Sequence, residues 1–163
     1  MSPEIDEKAI RNDDPKRLTI KIAHAKTDAL LSHISEPAIL VTIDQVVVVH
    51  GAIREKPIDE DECRTFLRSY DDTPVEVVNG TVVTNTATGK RAEGNNVVTL
   101  RFRPIPEKVI DQLIAEGDVL HCAGGLKAEH SALKRYLVSM EGTEESLQGV
   151  PIDLVKRLME EVK

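Results

Sequence analysis

Apolar residues recur at helical spacing after residue 15, at strand spacing after residue 38, and the two patterns then alternate to the end of the chain. Asp14-Pro15 reads as a helix start, with Asp14 as N-cap and Pro15 at the first helical position. The helix is expected to run to about His33, with Leu18, Ile22, Ala25 and Ala29 on its apolar face and Lys26 inside or beside that face. Ala38 to Val49, AILVTIDQVVVV, reads as a strand, and its valine run suggests burial on both faces. His50-Gly51 turns the chain towards Arg54–Pro57, and a helix over about 59–70 carries Cys63, Phe66 and Leu67 inward.

Two more strands follow, over about 74–84 and 96–103, with hairpin chemistry in the polar stretch 85–90 between them. In the second, Val98, Leu100 and Phe102 alternate with Thr99, Arg101 and Arg103, so one face is wet. Pro106 opens a helix that Gly117 closes. Ala123-Gly124-Gly125 is a small-residue loop open to close backbone approach. Gly149-Val150-Pro151 introduces a terminal helix with Ile152, Val155, Met159 and Val162 on one face. With no internal repeat and no long linker, residues 1–163 are expected to form a single α/β domain.

Composition narrows the function classes. Aromatic residues make up 2% of the chain and tryptophan is absent, which disfavours a stacking surface for single-stranded nucleic acid. A net charge of −7 disfavours nucleic-acid polymers and anionic membranes as general partners. The two cysteines, Cys63 and Cys122, are far apart and outside any CxxC pattern, as suits a reducing compartment. No long apolar run exists and the acidic N-terminus is unlike a signal peptide, so a cytoplasmic location is expected.

Asp44 is the outstanding residue. Strands reject aspartate, and an uncompensated buried carboxylate is costly. It either caps a turn or pairs with a cation at the strand's end, or it serves as a general base or metal ligand. Lys56, just before Pro57, is either a solvated loop cation or a phosphate ligand. Lys26 either snorkels or points into a pocket, and Glu7 in its polar segment reads by default as solvated. Gly124-Gly125 reads better as a tight turn than as a phosphate loop, and no histidine pair has zinc-site spacing. Two carboxylates and two lysines together suit metal-assisted hydrolysis of a phosphoanhydride.

Seven blocks occur in order along the chain: Ile5-Asp6-Glu7, Ala25-Lys26, Thr42 to Val47, Glu55-Lys56-Pro57, Ala123-Gly124-Gly125, Glu141-Gly142-Thr143 and Gly149-Val150-Pro151. The set resembles the Maf family of nucleoside triphosphate pyrophosphatases, and the Asp44-Gln45 pair resembles its eukaryotic, plant-type branch. The resemblance implies a mixed central sheet flanked by helices in a Maf/inosine-triphosphatase-like fold, and a homodimer. It implies cleavage of a nucleoside triphosphate, dTTP, UTP or a modified nucleotide, to the monophosphate and pyrophosphate. On the same ground Asp44 and Glu7 are expected to be catalytic and to hold Mg²⁺ or Mn²⁺. Lys26 and Lys56 are expected to bind phosphates, and Gln45 and Glu129 to help choose the base. The family's usual N-terminal strand and Ser-x-x-Arg loop have no counterpart ahead of Asp6-Glu7, so an N-terminally truncated fold is expected. That departure implies an alternative, a catalytically weak homologue that binds nucleotide or regulates through oligomerisation.

Overall fold

A computed structural model describes residues 5–163. The chain forms two compact units: Met1–Gln45, Val78–Asn96 and Gly149–Lys163 in the first, Val46–Val77 and Val97–Gln148 in the second. Five strands form one sheet in the order β2-β1-β3-β4-β5: β1 Ile39–Val49, β2 Ala52–Arg54, β3 Val75–Asn85, β4 Arg91–Phe102 and β5 Leu137–Glu141. Strands β1, β3 and β4 contribute residues to both units.

The α/β class with a central sheet and flanking helices is as expected, but the sheet is antiparallel where a mixed one was expected. Tight turns reverse the chain between β1 and β2 and between β3 and β4, whereas β1–β3 and β4–β5 are brought together by longer connections. His50 and Gly51 both take positive φ, 51° and 76°, the primed-turn geometry that reverses a strand onto itself. They pair β1 with β2 through Val47–Arg54 and Val49–Ala52. A bond from the Thr86 amide to the Ala38 carbonyl joins the end of β3 to the start of β1. Thr99–Glu141 and Leu100–Met140 join β4 to β5 antiparallel. An isolated bridge between Asp71 and Phe102 runs parallel.

In the first unit, α1 (Pro15–Leu31) starts as its sequence dictates: the Asp14 carboxylate accepts from the amides of Lys16 and Arg17, with Pro15 in the first turn. Its buried face differs from the expected one. Leu18 and Ile22 are buried, but Thr19, Ala23, Thr27 and Leu30 complete the face, while Ala25 and Ala29 are half-buried. Threonine tolerates this because Thr19 and Thr27 donate to the carbonyls of Pro15 and Ala23 one turn back. The terminal helix, α6 in chain order (Ile152–Glu161), buries Leu158 and packs it with Val162 on Val83. Ile152 is exposed, so the inward face runs through Leu154, Leu158 and Val162.

In the second unit, α2 (Glu60–Arg68) buries Cys63 and Leu67 beneath an N-cap at Asp59. Helix α3 (Glu107–Glu116) ends at Gly117 in the left-handed region, as read from the sequence. Short helices α4 (Ser131–Lys134) and α5 (Glu144–Leu147) flank β5. The core joins Val47, Val49, Leu67, Tyr70, Leu100 and Phe102, with Ile110, Leu113 and Leu133. The four valines from Val46 to Val49 are 2–3% exposed, as a strand buried on both faces requires. The strand β4 begins earlier than expected, because Arg91–Asn95 continue the hairpin from a turn over 86–88.

Candidate active site

Asp44 does not sit at a strand end. It lies in the middle of β1, on the face shared with Thr42, because alternate side chains of a strand point the same way. A carboxylate buried there needs a cation, and α1 supplies one. Lys26 Nζ lies 2.7 Å from Asp44 Oδ1 and 3.1 Å from Glu7 Oε1, and it donates to the Ile43 carbonyl at 3.3 Å. The Lys26 and Asp44 side chains are only 17% and 8% exposed, whereas that of Glu7 is 43% exposed. Glu7 comes from a single 3₁₀ turn, Glu7–Ala9, and is therefore no solvated bystander.

Burial and pairing pull the two partners differently. Burial pushes the Asp44 carboxyl above its ordinary value; Lys26 opposes that rise without cancelling it, and Glu7 adds to it. Burial would lower Lys26, but the charges and hydrogen bonds of Asp44 and Glu7 outweigh it and hold the ammonium above its ordinary value. The proton therefore stays on Lys26, and Asp44 is a carboxylate predisposed to accept one.

Gln45, the next residue, points to the opposite face of the sheet. Its Nε2 donates to Asn79 Oδ1 at 2.9 Å, and Asn79 is fully buried. Gly149 lies nearby without crowding it: a Cβ there would stand 3.8 Å from Gln45 Nε2, an ordinary contact distance. Asn79 and the threonines Thr27 and Thr42 were not singled out from the sequence. Thr42 had one signal, its same-face spacing of two residues from Asp44.

The structure thus brings Glu7, Lys26 and Asp44 together within the first unit. Lys56 and Glu129 belong to the second. Both are exposed, Lys56 after β2 and Glu129 in the loop before α4, and both act electrostatically on the Cys122 thiol. Burial raises that thiol, Glu129 raises it further, and Lys127 and Lys56 oppose the rise. The segment carrying Lys56 is tied down, since the Gly124 amide donates to the Glu55 carbonyl at 2.8 Å.

Gly124-Gly125 is a tight turn clamped onto the core. Gly124 has φ 62°, and a Cβ there would stand 2.6 Å from the Tyr70 hydroxyl and 2.9 Å from Val47 Cβ. Tyr70, itself fully buried, donates to the Gly124 carbonyl. Gly125 lies against Cys63 in the same way.

The donor set bears on a metal. Among the described residues there is no group of three or more His, Cys, Asp or Glu that could cage an ion. Two carboxylates remain, and Lys26 engages one oxygen of each. One or two carboxylates together with substrate phosphates and water is the donor set Mg²⁺ ordinarily takes, so these residues fit an ion that binds with its substrate. Among the described residues no helix is long and apolar enough to cross a membrane.

Comparison with known proteins agrees with this picture. Residues 1–162 match the family model described as Maf-like protein. The 7-methyl-GTP pyrophosphatase of Dictyostelium discoideum is 46% identical over 169 residues, covering 99% of this chain and 85% of the relative.

Proposed function

The chain belongs to the Maf-like protein family, and on that premise we propose that it is a nucleotide pyrophosphatase, a hydrolase of phosphoanhydride bonds. It cleaves between the α- and β-phosphates of a nucleoside triphosphate, giving the monophosphate and pyrophosphate. The relative named a 7-methyl-GTP pyrophosphatase supports a modified nucleotide as substrate, with dTTP and UTP as the unmodified candidates.

One observation carries the reading: a buried aspartate and a second carboxylate share one lysine, at 2.7 and 3.1 Å. In the proposed reaction Asp44 takes a proton from water as the water oxygen bonds to phosphorus. The bridging P–O bond breaks, and pyrophosphate leaves with that electron pair. A carboxylate whose proton affinity is raised by burial suits this role. Lys26 holds its proton and offers positive charge to the phosphates, and Lys56 is the second phosphate-binding cation. Gln45 and Glu129 are assigned to choice of base. Asp44 and Glu7 would hold Mg²⁺ or Mn²⁺, which supplies charge neutralisation at the polyphosphate. The protein is further proposed to act in the cytoplasm as a homodimer.

The test is a nucleotide panel containing 7-methyl-GTP, GTP, dTTP and UTP with Mg²⁺ or Mn²⁺, pyrophosphate and free phosphate being measured separately. Asp44→Asn is expected to reduce pyrophosphate release by at least about 10²-fold, the usual worth of a general base. Release no faster from the wild type than from that variant sinks the reading.

A further inference from the structure

Two buried threonines stand beside the charged pair, one on each element that carries it. Thr27 follows Lys26 on α1, and Thr42 precedes Asp44 by two residues on the same face of β1. Their hydroxyl oxygens are 2.7 Å apart. Thr42 donates to the Ala23 carbonyl at 2.9 Å, and Thr27 reaches the same carbonyl at 3.1 Å. Each hydroxyl has one proton, so at any moment one of the two donates to Ala23 while the other donates to its partner hydroxyl. Thr27 is fully buried and Thr42 is 5% exposed.

Packing alone does not call for these hydroxyls. Valine has the same branched shape and would fill the same space without a buried polar atom to satisfy. What the hydroxyls add is direction, a helix-to-strand tie that works at one register only. Nearer its N-terminus α1 is located by a different device. A Cβ on Gly80 of β3 would stand 2.5 Å from the Thr19 main-chain carbon and 2.6 Å from the Ile20 nitrogen. Asn95 of β4 donates to the Lys16 carbonyl at 3.1 Å and to the Asn79 carbonyl at 3.2 Å. Those contacts hold the first turns of α1; the threonine pair is the tie next to Lys26. Lysine has a four-carbon stem and rotates freely, so the place of its Cα decides which carboxylates it can bridge.

We propose that Thr42 and Thr27 are positioning residues of the candidate site, a hydroxyl clamp that sets α1 against β1 so that Lys26 bridges Asp44 and Glu7. The proposal rests on the functional reading above only for its catalytic consequence. Its test therefore has an arm that needs no nucleotide. Denaturant unfolding is measured for wild type, Thr42→Val, Lys26→Met and the double variant. If the clamp acts through Lys26, Thr42→Val lowers the folding constant by about fivefold more in the wild type than in Lys26→Met, the factor one hydrogen bond is worth. Additive effects overturn the proposal. Thr27→Val runs through the same cycle and decides the matter if Thr42→Val does not fold. In the second arm, Thr42→Val lowers kcat for pyrophosphate release with KM little changed, and Thr42→Ser restores kcat. A Thr42→Ser variant that folds like wild type yet stays as slow as Thr42→Val also overturns it. Absence of pyrophosphate release from the wild type refutes the pyrophosphatase reading and leaves the unfolding cycle to decide the clamp.

Discussion

The two units hold their sharpest features by opposite means. The first keeps charge inside: Asp44 is buried in mid-strand, and Lys26 and hydroxyl ties hold it there. The second fixes its glycine turn with a phenol, a thiol and a main-chain amide, and its ion pairs, such as Arg68–Glu107 and His130–Glu116, each have at least one exposed partner. A turn clamped by neutral contacts is rigid and chemically quiet. A buried ion pair is costly to maintain, and its polar groups are the ones able to move a proton or meet a phosphate. The difference marks where chemistry is to be sought.

The comparison breaks most readily at the glycine turn. Gly124→Ala puts a Cβ at positive φ against Tyr70 and Val47, and is expected to cost about 3 kcal/mol. Chemical denaturation measures it, and a variant as stable as wild type would show that the turn is not clamped. Next comes Lys26→Met, which leaves Asp44 buried without its cation and is expected to cost about 2 kcal/mol near neutral pH. The sign with pH follows from a carboxyl already above its ordinary 3.8, which burial and Glu7 raise further once Lys26 is gone. The folded state then holds the proton longer than the unfolded chain, so stability is greatest at low pH and is lost as pH rises through the folded value. Denaturation midpoints from pH 4 to 7 should therefore show the Lys26→Met penalty growing.

The second unit has its own titration, at the alkaline end. Burial pushes the Cys63 thiol from 9.0 up to about 11. Its folded pKa lies above the unfolded one, so its contribution is present below pH 9 and is lost as pH rises towards 11. The expected slope is about 1 kcal/mol per pH unit, and Cys63→Ala should flatten it between pH 9 and 10. Above that range the Tyr70 phenol, pushed by burial from 10.0 up to about 12, adds its own loss. The smallest effect is at the surface. Arg68 pairs with Glu107 at 2.6 Å, but both side chains are 54% exposed, so Arg68→Ala should leave the melting temperature unchanged within error.

Most of the elements were legible along the chain because their signals are local. The Asp14-Pro15 start, the valine run, the alternation in Val98–Phe102 and the Gly117 stop each concern a few neighbouring residues, and each is found in place. The buried face of α1 was only partly legible. Ala25 and Ala29 are apolar by composition, whereas Thr19 and Thr27 are buried because their hydroxyls find carbonyls one turn back. The terminal helix shows the same limit, since Ile152 is exposed and Leu158 carries the contact. The reversal between β1 and β2 depended on the turn at His50-Gly51, where a non-glycine residue takes the uncommon positive φ.

By itself the sequence determined that a carboxylate interrupts a buried strand, that a lysine lies at the edge of an apolar helix face, and that a paired glycine turn follows later. Spacing also placed Thr42 and Asp44 on one face, since strand parity is a covalent property. Only the tertiary structure decided that Lys26 is the cation Asp44 meets, with Glu7 as its second partner. The physical reason is that parity selects a face but not what covers it. Which helix lies there, and at which register, depends on contacts between residues far apart in the chain, such as Gly80 against Thr19 and Thr27 against Thr42.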